Sequence, residues 1–215
     1  MSYVLSVYSA EAYKEILMPA INDSDFELDL SKDLFGLSED ASLQMEVMGG
    51  AWRIVESADY TAVYTQNRHR CEDLILKDED MISVTLFDRD QIFITVRETE
   101  ASFSVYEKYS LENIERLTIG TSEDSHLRYD RKINDKNLIT MHHAEIRKKD
   151  DEYILLDTST NGTFLNEKRV SGSEQELHFG DLINIYGLKI IFLKDLIAVN
   201  AEIKGLKIME DCIHP

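Results

Sequence analysis

Hydrophobic and polar positions alternate along most of this chain. Ile82, Val84 and Leu86 are interleaved with Ser83 and Thr85, and Ile92, Ile94 and Val96 with Phe93 and Thr95. A period of two places one row of side chains inward and the other outward, the pattern of a half-buried strand. Comparable short runs predict strands over 3–8, 26–30, 43–48, 51–56, 60–65, 73–76, 82–87 and 91–97 in the first half. The second half repeats the rhythm over 116–120, 144–148, 153–157, 163–165, 182–186, 188–193 and 196–199, with a last strand near 205–208. No amphipathic helix longer than about 12 residues is visible. Residues 10–16 read as a turn or two of helix that Pro19 would end.

Many short strands with frequent turn signals predict an all-β chain built as antiparallel β-sandwiches. At 215 residues the chain holds two such domains, expected over 1–105 and 106–215. The join is expected between Glu98 and Asn113. That stretch has neither Gly nor Pro, so a short, stiff connection is predicted. Glycine separates the halves: Gly120, Gly162, Gly172, Gly180, Gly187 and Gly205 lie in the second, against Gly36, Gly49 and Gly50 in the first.

The stretch with most chemistry is Ser159-Thr160-Asn161-Gly162-Thr163. Asn and Gly both tolerate positive φ, so Asn161-Gly162 predicts a tight turn. Ser159 and Thr160 bring hydroxyls to that turn, and Asn161 an amide that donates and accepts. Such a loop grips a polar ligand without a catalytic group, or serves folding alone.

Composition narrows the classes. The formal net charge is −18. Residues 1–107 hold 22 acids against 8 Lys and Arg, while residues 108–215 hold 19 against 15. Such acidity argues against nucleic-acid binding, which needs cations on phosphates. No run approaches the roughly 18 apolar residues of a membrane span, and the start lacks the basic region of a secretory signal. Cys71 and Cys212 share no motif and read as unpaired thiols. Trp52 sits in an alternating run and is expected in the core, and Asp78-Glu79-Asp80 reads as a solvated turn.

Enzyme signatures are missing. There is no Gly-x-Ser-x-Gly, and no Gly is followed by Lys, which excludes a P-loop. His142 and His143 are adjacent and would point apart on a strand, and His69 lies between Arg68 and Arg70, so neither predicts a metal site. No cofactor is expected.

Four motifs in order carry a resemblance. They are Leu117-Thr118-Ile119-Gly120, then Thr140-Met141-His142-His143-Ala144, then Ser159-Thr160-Asn161-Gly162-Thr163, then Gly180-Asp181. Over 111–199 the chain resembles a forkhead-associated (FHA) domain, whose pattern is Ile-Gly-Arg, Ser-x-x-His-Ala, Ser-x-Asn-Gly-Thr and Gly-Asp. The first half keeps the strand rhythm without these motifs and looks like a diverged copy. Tandem domains of this kind open the EssC/YukB-type ATPases of type VII secretion. The run Gly50-Ala51-Trp52 and Ala101-Ser102-Phe103 before Leu117 is similar to their order. In that family membrane helices and FtsK/SpoIIIE-type ATPase domains follow such a region. The resemblance implies a non-catalytic module on the cytoplasmic face of a bacterial membrane, with protein partners from the secretion machinery or its substrates.

The resemblance also implies roles. In phosphothreonine-binding members the Arg after Ile-Gly and the Ser of Ser-x-x-His hold the phosphate, the loop before Asn-Gly and the Asn hold phosphate and peptide backbone, and the His braces the loops. Here Gly120, His143, Gly162, Ser159, Thr160 and Asn161 match, Thr140 replaces the Ser, and Thr121 replaces the Arg. A lost charge-assisted contact costs about 1.5–3 kcal/mol, roughly ten- to a hundred-fold in affinity. The expectation is therefore phospho-independent contact through Thr121, Thr140, Ser159, Thr160 and Asn161. The alternatives are a phosphothreonine peptide held by a relocated cation, or a purely structural oligomerisation unit. Arg128, Arg131, Lys132 and Lys136 precede Thr140 and read as solvated loop charges.

Overall fold

The structure, a computed structural model, describes residues 3–21, 25–55, 60–65, 74–87, 89–98, 106–133, 135–170 and 174–209. The chain divides into two compact units, Met1–Phe103 with Ile133–Lys136, and Ser104–Lys132 with Asn137–Pro215. Cys71, Cys212, His69 with its flanking arginines, the Ala101-Ser102-Phe103 run, Gly172 and the centre of the expected join lie outside the described residues.

The first unit runs β1 (Tyr3–Tyr8), β2 (Tyr13–Leu17), β3 (Phe26–Leu30), α1 (Lys32–Phe35), β4 (Ala41–Met48), β5 (Ala51–Ile54), β6 (Tyr60–Thr65), β7 (Leu74–Ile75), β8 (Met81–Leu86) and β9 (Asp90–Glu98). Among the described residues these form a sheet ordered β2-β1-β9-β8-β6 and another ordered β3-β4-β5-β7. Alternation sets which face is dry. Leu28, Leu43, Met45, Trp52 and Ile54 join Leu5, Val7, Val84, Ile92 and Ile94 in one buried cluster. Trp52 is completely buried there.

Residues 13–17 form a strand where a helical turn is expected. Ser9 explains the difference. Its hydroxyl accepts from the backbone N–H of Glu11 at 3.2 Å and Ala12 at 3.0 Å, which reverses the chain directly after β1. Residues 13–17 then pair with β1, Tyr8 opposite Tyr13, and those two rings stack 4.9 Å apart. Pairing with a neighbouring strand outweighs the weak helical pattern. The acidic turn also differs from expectation, because it is half-buried and engaged. Asp78 accepts from the Glu98 N–H at 2.8 Å, Asp80 from Lys77 N–H at 2.9 Å, and Arg97 lies 3.7 Å from Asp78.

The second unit runs β10 (Tyr106–Ser110), β11 (Arg116–Gly120), β12 (Leu127–Tyr129), β13 (Lys132–Ile133), β14 (Lys136–Asn137), β15 (Ala144–Lys149) and β16 (Glu152–Asp157), with Ile133 of β13 and Lys136 of β14 falling in the first. It continues with β17 (Phe164–Leu165), β18 (Lys168–Arg169), β19 (Gln175–Glu176), β20 (Leu182–Ile185), β21 (Leu188–Phe192), β22 (Leu196–Asn200) and β23 (Leu206–Ile208). Among the described residues its main sheets are β10-β22-β21-β20-β17-β18 and β19-β16-β15-β11-β12-β23. Leu117, Ile119, Ile146 and Leu155 from one sheet are buried, as are Phe164, Ile183, Ile185, Ile190 and Val199 from the other. Edge-to-face contacts add specificity, Tyr153 on Phe192 at 5.4 Å and Phe164 on Tyr186 at 6.3 Å.

The Asn161-Gly162 turn is not a hairpin. It carries the chain from β16 in one sheet to β17 in the other. The neighbouring two-residue hairpin is Asn166-Glu167, both at positive φ of 47° and 73°, as a type I′ turn requires. It folds β18 back on β17, so that Arg169 lies opposite Phe164.

Candidate functional site

Register brings the loops together. Ile119 near the end of β11 faces Ala144 at the start of β15, and Ala144 faces Asp157 at the end of β16. The segments after β11, before β15 and after β16 therefore emerge side by side at one end of the sheet. The sequence-predicted residues sit on these segments.

Backbone bonds lock the first two segments. Thr121 N–H donates to Thr140 C=O at 3.1 Å, Ser122 N–H to Met141 C=O at 3.2 Å, and His143 N–H to Ile119 C=O at 2.8 Å. Gly120 makes the approach feasible. A Cβ there would lie 2.1 Å from the Met141 carbonyl oxygen.

His143 ties the second segment to the third. It is completely buried. Its Nδ1 accepts from Thr140 N–H at 3.2 Å, and its Nε2 lies 3.2 Å from the Gly162 carbonyl. An N–H donor at Nδ1 requires that nitrogen to be the acceptor, so the proton sits on Nε2 and is donated to Gly162. Burial holds the His143 pKa down to about 4, against the opposing pull of the Gly162 carbonyl and Asp157. The ring is a neutral brace.

The third segment is built around Asp157 and Ser159. Asp157 accepts from Ser159 N–H at 3.0 Å and from the Thr163 hydroxyl at 3.1 Å. The Ser159 hydroxyl oxygen accepts from Gly162 N–H at 2.7 Å, which closes the turn. Gly162 takes φ of 104°, where a side chain would be strained. The Asn161 amide points inward and donates to Leu138 C=O at 2.8 Å and Asn137 C=O at 3.3 Å. The Asn161 backbone carbonyl accepts from the Tyr186 hydroxyl at 2.9 Å. Asn161→Ala is expected to cost about 1–2 kcal/mol by stripping two carbonyls of their donor, read as a lower urea midpoint for the second unit.

The predicted residues divide by availability. Thr140 spends its hydroxyl proton on the His142 carbonyl at 3.0 Å. Thr160 is exposed, and Ser159 and Thr121 are half-buried at the rim. Met141 and His142 are also exposed on this face, Met141 by 63%.

The cations before Thr140 point elsewhere. Arg128 lies 3.8 Å from Glu123, and Lys132 3.8 Å from Asp130. Lys136 is an exposed residue of β14. Arg131 is not a solvated charge. It is buried to 9% exposure and donates to the Tyr129 hydroxyl at 3.1 Å, which donates to the Tyr186 carbonyl at 2.7 Å. Burial pushes the Tyr129 pKa up to about 12, although Arg131 pulls it down.

Arg169 is the site residue that sequence reading missed. Its guanidinium packs on Gly162 and donates to the Thr160 carbonyl at 3.2 Å. The signal was the Asn166-Glu167 hairpin, which returns the chain to the turn. Among the described residues no group of His, Cys, Asp and Glu is arranged to hold a metal, and no helix is long and apolar enough to cross a membrane.

Strand order, braced loops and a rim of hydroxyls define an all-β fold with a loop cluster at one end of a sheet. Residues 117–186 match the family model described as FHA domain, and all of them but 133–136 lie in the second unit. FHA domains are non-catalytic modules that mediate protein interaction. Among solved structures the chain is similar to the "N-terminal FHA domain from EssC a component of the bacterial Type VII secretion apparatus". The two share 12% identity over 96% of this chain and 95% of that one, with a TM-score of 0.57. That match spans residues of both units. Two looser matches are Mycobacterium tuberculosis EmbR in complex with a low-affinity phosphopeptide and Rad53 1-466 in complex with AMP-PNP. EmbR is 26% identical over 38% of this chain and 20% of that one, TM-score 0.31. Rad53 is 26% identical over 54% and 27%, TM-score 0.28. No curated protein matches the chain.

Proposed function

We propose that this chain is the N-terminal docking region of a type VII secretion ATPase, and that its second unit contacts protein partners without reading a phosphate. The contact surface is the rim formed by Thr121, Thr140, Ser159, Thr160 and Asn161. The observation that carries this reading is the place after Gly120. It holds the uncharged Thr121, while Arg128, Arg131 and Lys132 are directed at Glu123, Tyr129 and Asp130. A phosphate brings nearly two negative charges and needs charge-assisted donors where it binds. His143 braces the rim from beneath, and Asn161 contributes to it with its backbone while its side-chain amide turns inward to Leu138.

The first unit, proposed as residues 1–105, is a diverged FHA-like copy without ligand motifs; the second is proposed as 106–215. Its paired sheets and the EssC likeness over both units support this reading. In such an ATPase the region would face the cytoplasm beside the membrane. Its partners would be secretion components or substrates. Adding carboxylates to the rim with Thr160→Glu together with Thr121→Glu is expected to leave folding intact and to abolish secretion by the full-length protein. Wild-type secretion by that variant would overturn the docking role and favour a structural spacer.

Arg169 favours a second reading, a phosphothreonine site with a relocated cation. Its guanidinium is already at the turn. Under that reading Arg169→Ala would abolish a phosphate-dependent affinity that the wild type displays.

A further inference from the structure

On one sheet of the second unit the outward face of β11, β15, β12 and β23 is cationic, while the adjoining β16 and β19 carry Glu152 and Glu176. Arg116 and Arg147 are direct partners across β11 and β15, and Thr118 faces Glu145 beside them. In antiparallel strands, partners and second neighbours share a face. Both guanidiniums contact the one Glu145 carboxylate, which is 4% exposed. A single carboxylate neutralises one of the two arginines, so the trio keeps a positive charge. Arg116 and Arg147 remain open to solvent, with 58% and 41% of their side chains exposed.

The charge continues along the sheet. Gly120 faces Arg128, and Arg128 faces Lys207 on β23. Lys207 is exposed, and Arg128 meets only the loosely placed Glu123 at 3.8 Å among the described residues. From Arg116 to the level of Arg128 is four residue steps, about 13 Å along a strand.

The first unit carries the opposite face. On edge strand β3, Glu27 and Asp29 point away from the core that Leu28 and Leu30 enter, and both are exposed. They face Gln44 and Ser42, and Glu46 on the same side of β4 accepts from Arg53 of β5. From the level of Glu46 to Asp29 is again four steps, about 13 Å. The face is polar and net acidic.

We propose that these faces dock in different molecules, the acidic β3-β4 face of one copy on the cationic β11-β15-β12-β23 face of a second copy. Each face is defined within its own unit, so the contact needs no particular arrangement inside one chain. Matched charge rows on two sheet faces give attraction and register together. The contact is head-to-tail, and it closes into a ring or extends according to its rotation. It runs along the sheet surface and stops at the level of Gly120, one residue before the rim's Thr121, and its readout is association of copies and not rim binding.

Sedimentation velocity of the whole chain tests this. At about 50 mM salt, where the Debye length exceeds 10 Å, the chain should self-associate, and at about 500 mM it should dissociate. Arg128→Glu with Lys207→Glu leaves the Glu145 trio untouched and should weaken association at least ten-fold. Glu27→Lys with Asp29→Lys should do the same. An equimolar mixture of the two variants should regain wild-type association, because each variant then meets an opposite face. A monomeric wild type at low salt, either variant associating like wild type, or a mixture no better than its parts would overturn the proposal. If a reversal variant misfolds, the neutral pairs Arg128→Gln with Lys207→Gln and Glu27→Gln with Asp29→Asn give the weakening readout instead.

Discussion

Gly120→Ala is expected to lower the stability of the second unit by roughly 3 kcal/mol and to leave the first unit unchanged. The added methyl would sit 2.1 Å from the Met141 carbonyl oxygen, 2.8 Å from its carbon and 3.1 Å from the Thr140 carbonyl oxygen. These are backbone atoms, so no rotamer change clears them. The segments would have to separate, breaking the Thr121–Thr140 and Ser122–Met141 bonds and pulling Thr140 N–H off His143. The chain supplies its own control. Its single tryptophan, Trp52, is buried in the first unit's core, so tryptophan fluorescence follows that unit. Far-UV dichroism follows both. In urea, the variant should show an early dichroism transition that the fluorescence lacks. Superimposable wild-type and variant curves would show that the approach at Gly120 is not tight.

His143→Gln is expected to flatten the acid sensitivity of the second unit. In the unfolded chain a histidine titrates near 6.5, whereas burial holds folded His143 at about 4. Between those values the unfolded state binds a proton that the folded state refuses, so stability falls as pH falls through this window. The loss is complete near pH 4 and amounts to on the order of 3 kcal/mol. His126, also lowered by burial, contributes in the same direction. The chain's many carboxylates act on both proteins alike, so the difference between wild type and variant isolates His143. Stability measured at pH 7, 6, 5 and 4 should fall more steeply for wild type. Parallel slopes would mean that the ring is not held neutral.

Much of the fold was legible because its strands obey a period of two. The runs at 3–8, 26–30, 60–65 and 116–120 coincide with β1, β3, β6 and β11. Elements held by tertiary pairing were not legible. Residues 13–17 became β2 because Ser9 turns the chain, and residues 106–110 became β10 by pairing with β22 across the whole second unit. The short β12, β18 and β19 are too brief to carry a period.

The candidate site shows the same division. Gly120, His143 and Gly162 were legible as motif positions, and the structure gives each a contact that demands its residue type. The inward turn of the Asn161 amide was not legible, because its acceptors Asn137 and Leu138 lie more than twenty residues away. Nor was the burial of Arg131, which depends on Tyr129 and Tyr186 meeting between the sheets. Arg169 escaped notice because its place at the turn comes from a hairpin register, not a motif.

The central claim is that a rim with Thr121 after Gly120 contacts partners without reading phosphate. Its most direct test is calorimetric titration of the chain with paired peptides, identical except that one of each pair carries phosphothreonine. The account predicts that within every pair the affinities agree to about two-fold, and that no phosphate-dependent heat develops up to millimolar peptide. A phosphothreonine peptide binding ten-fold or more tightly than its unphosphorylated twin would contradict it.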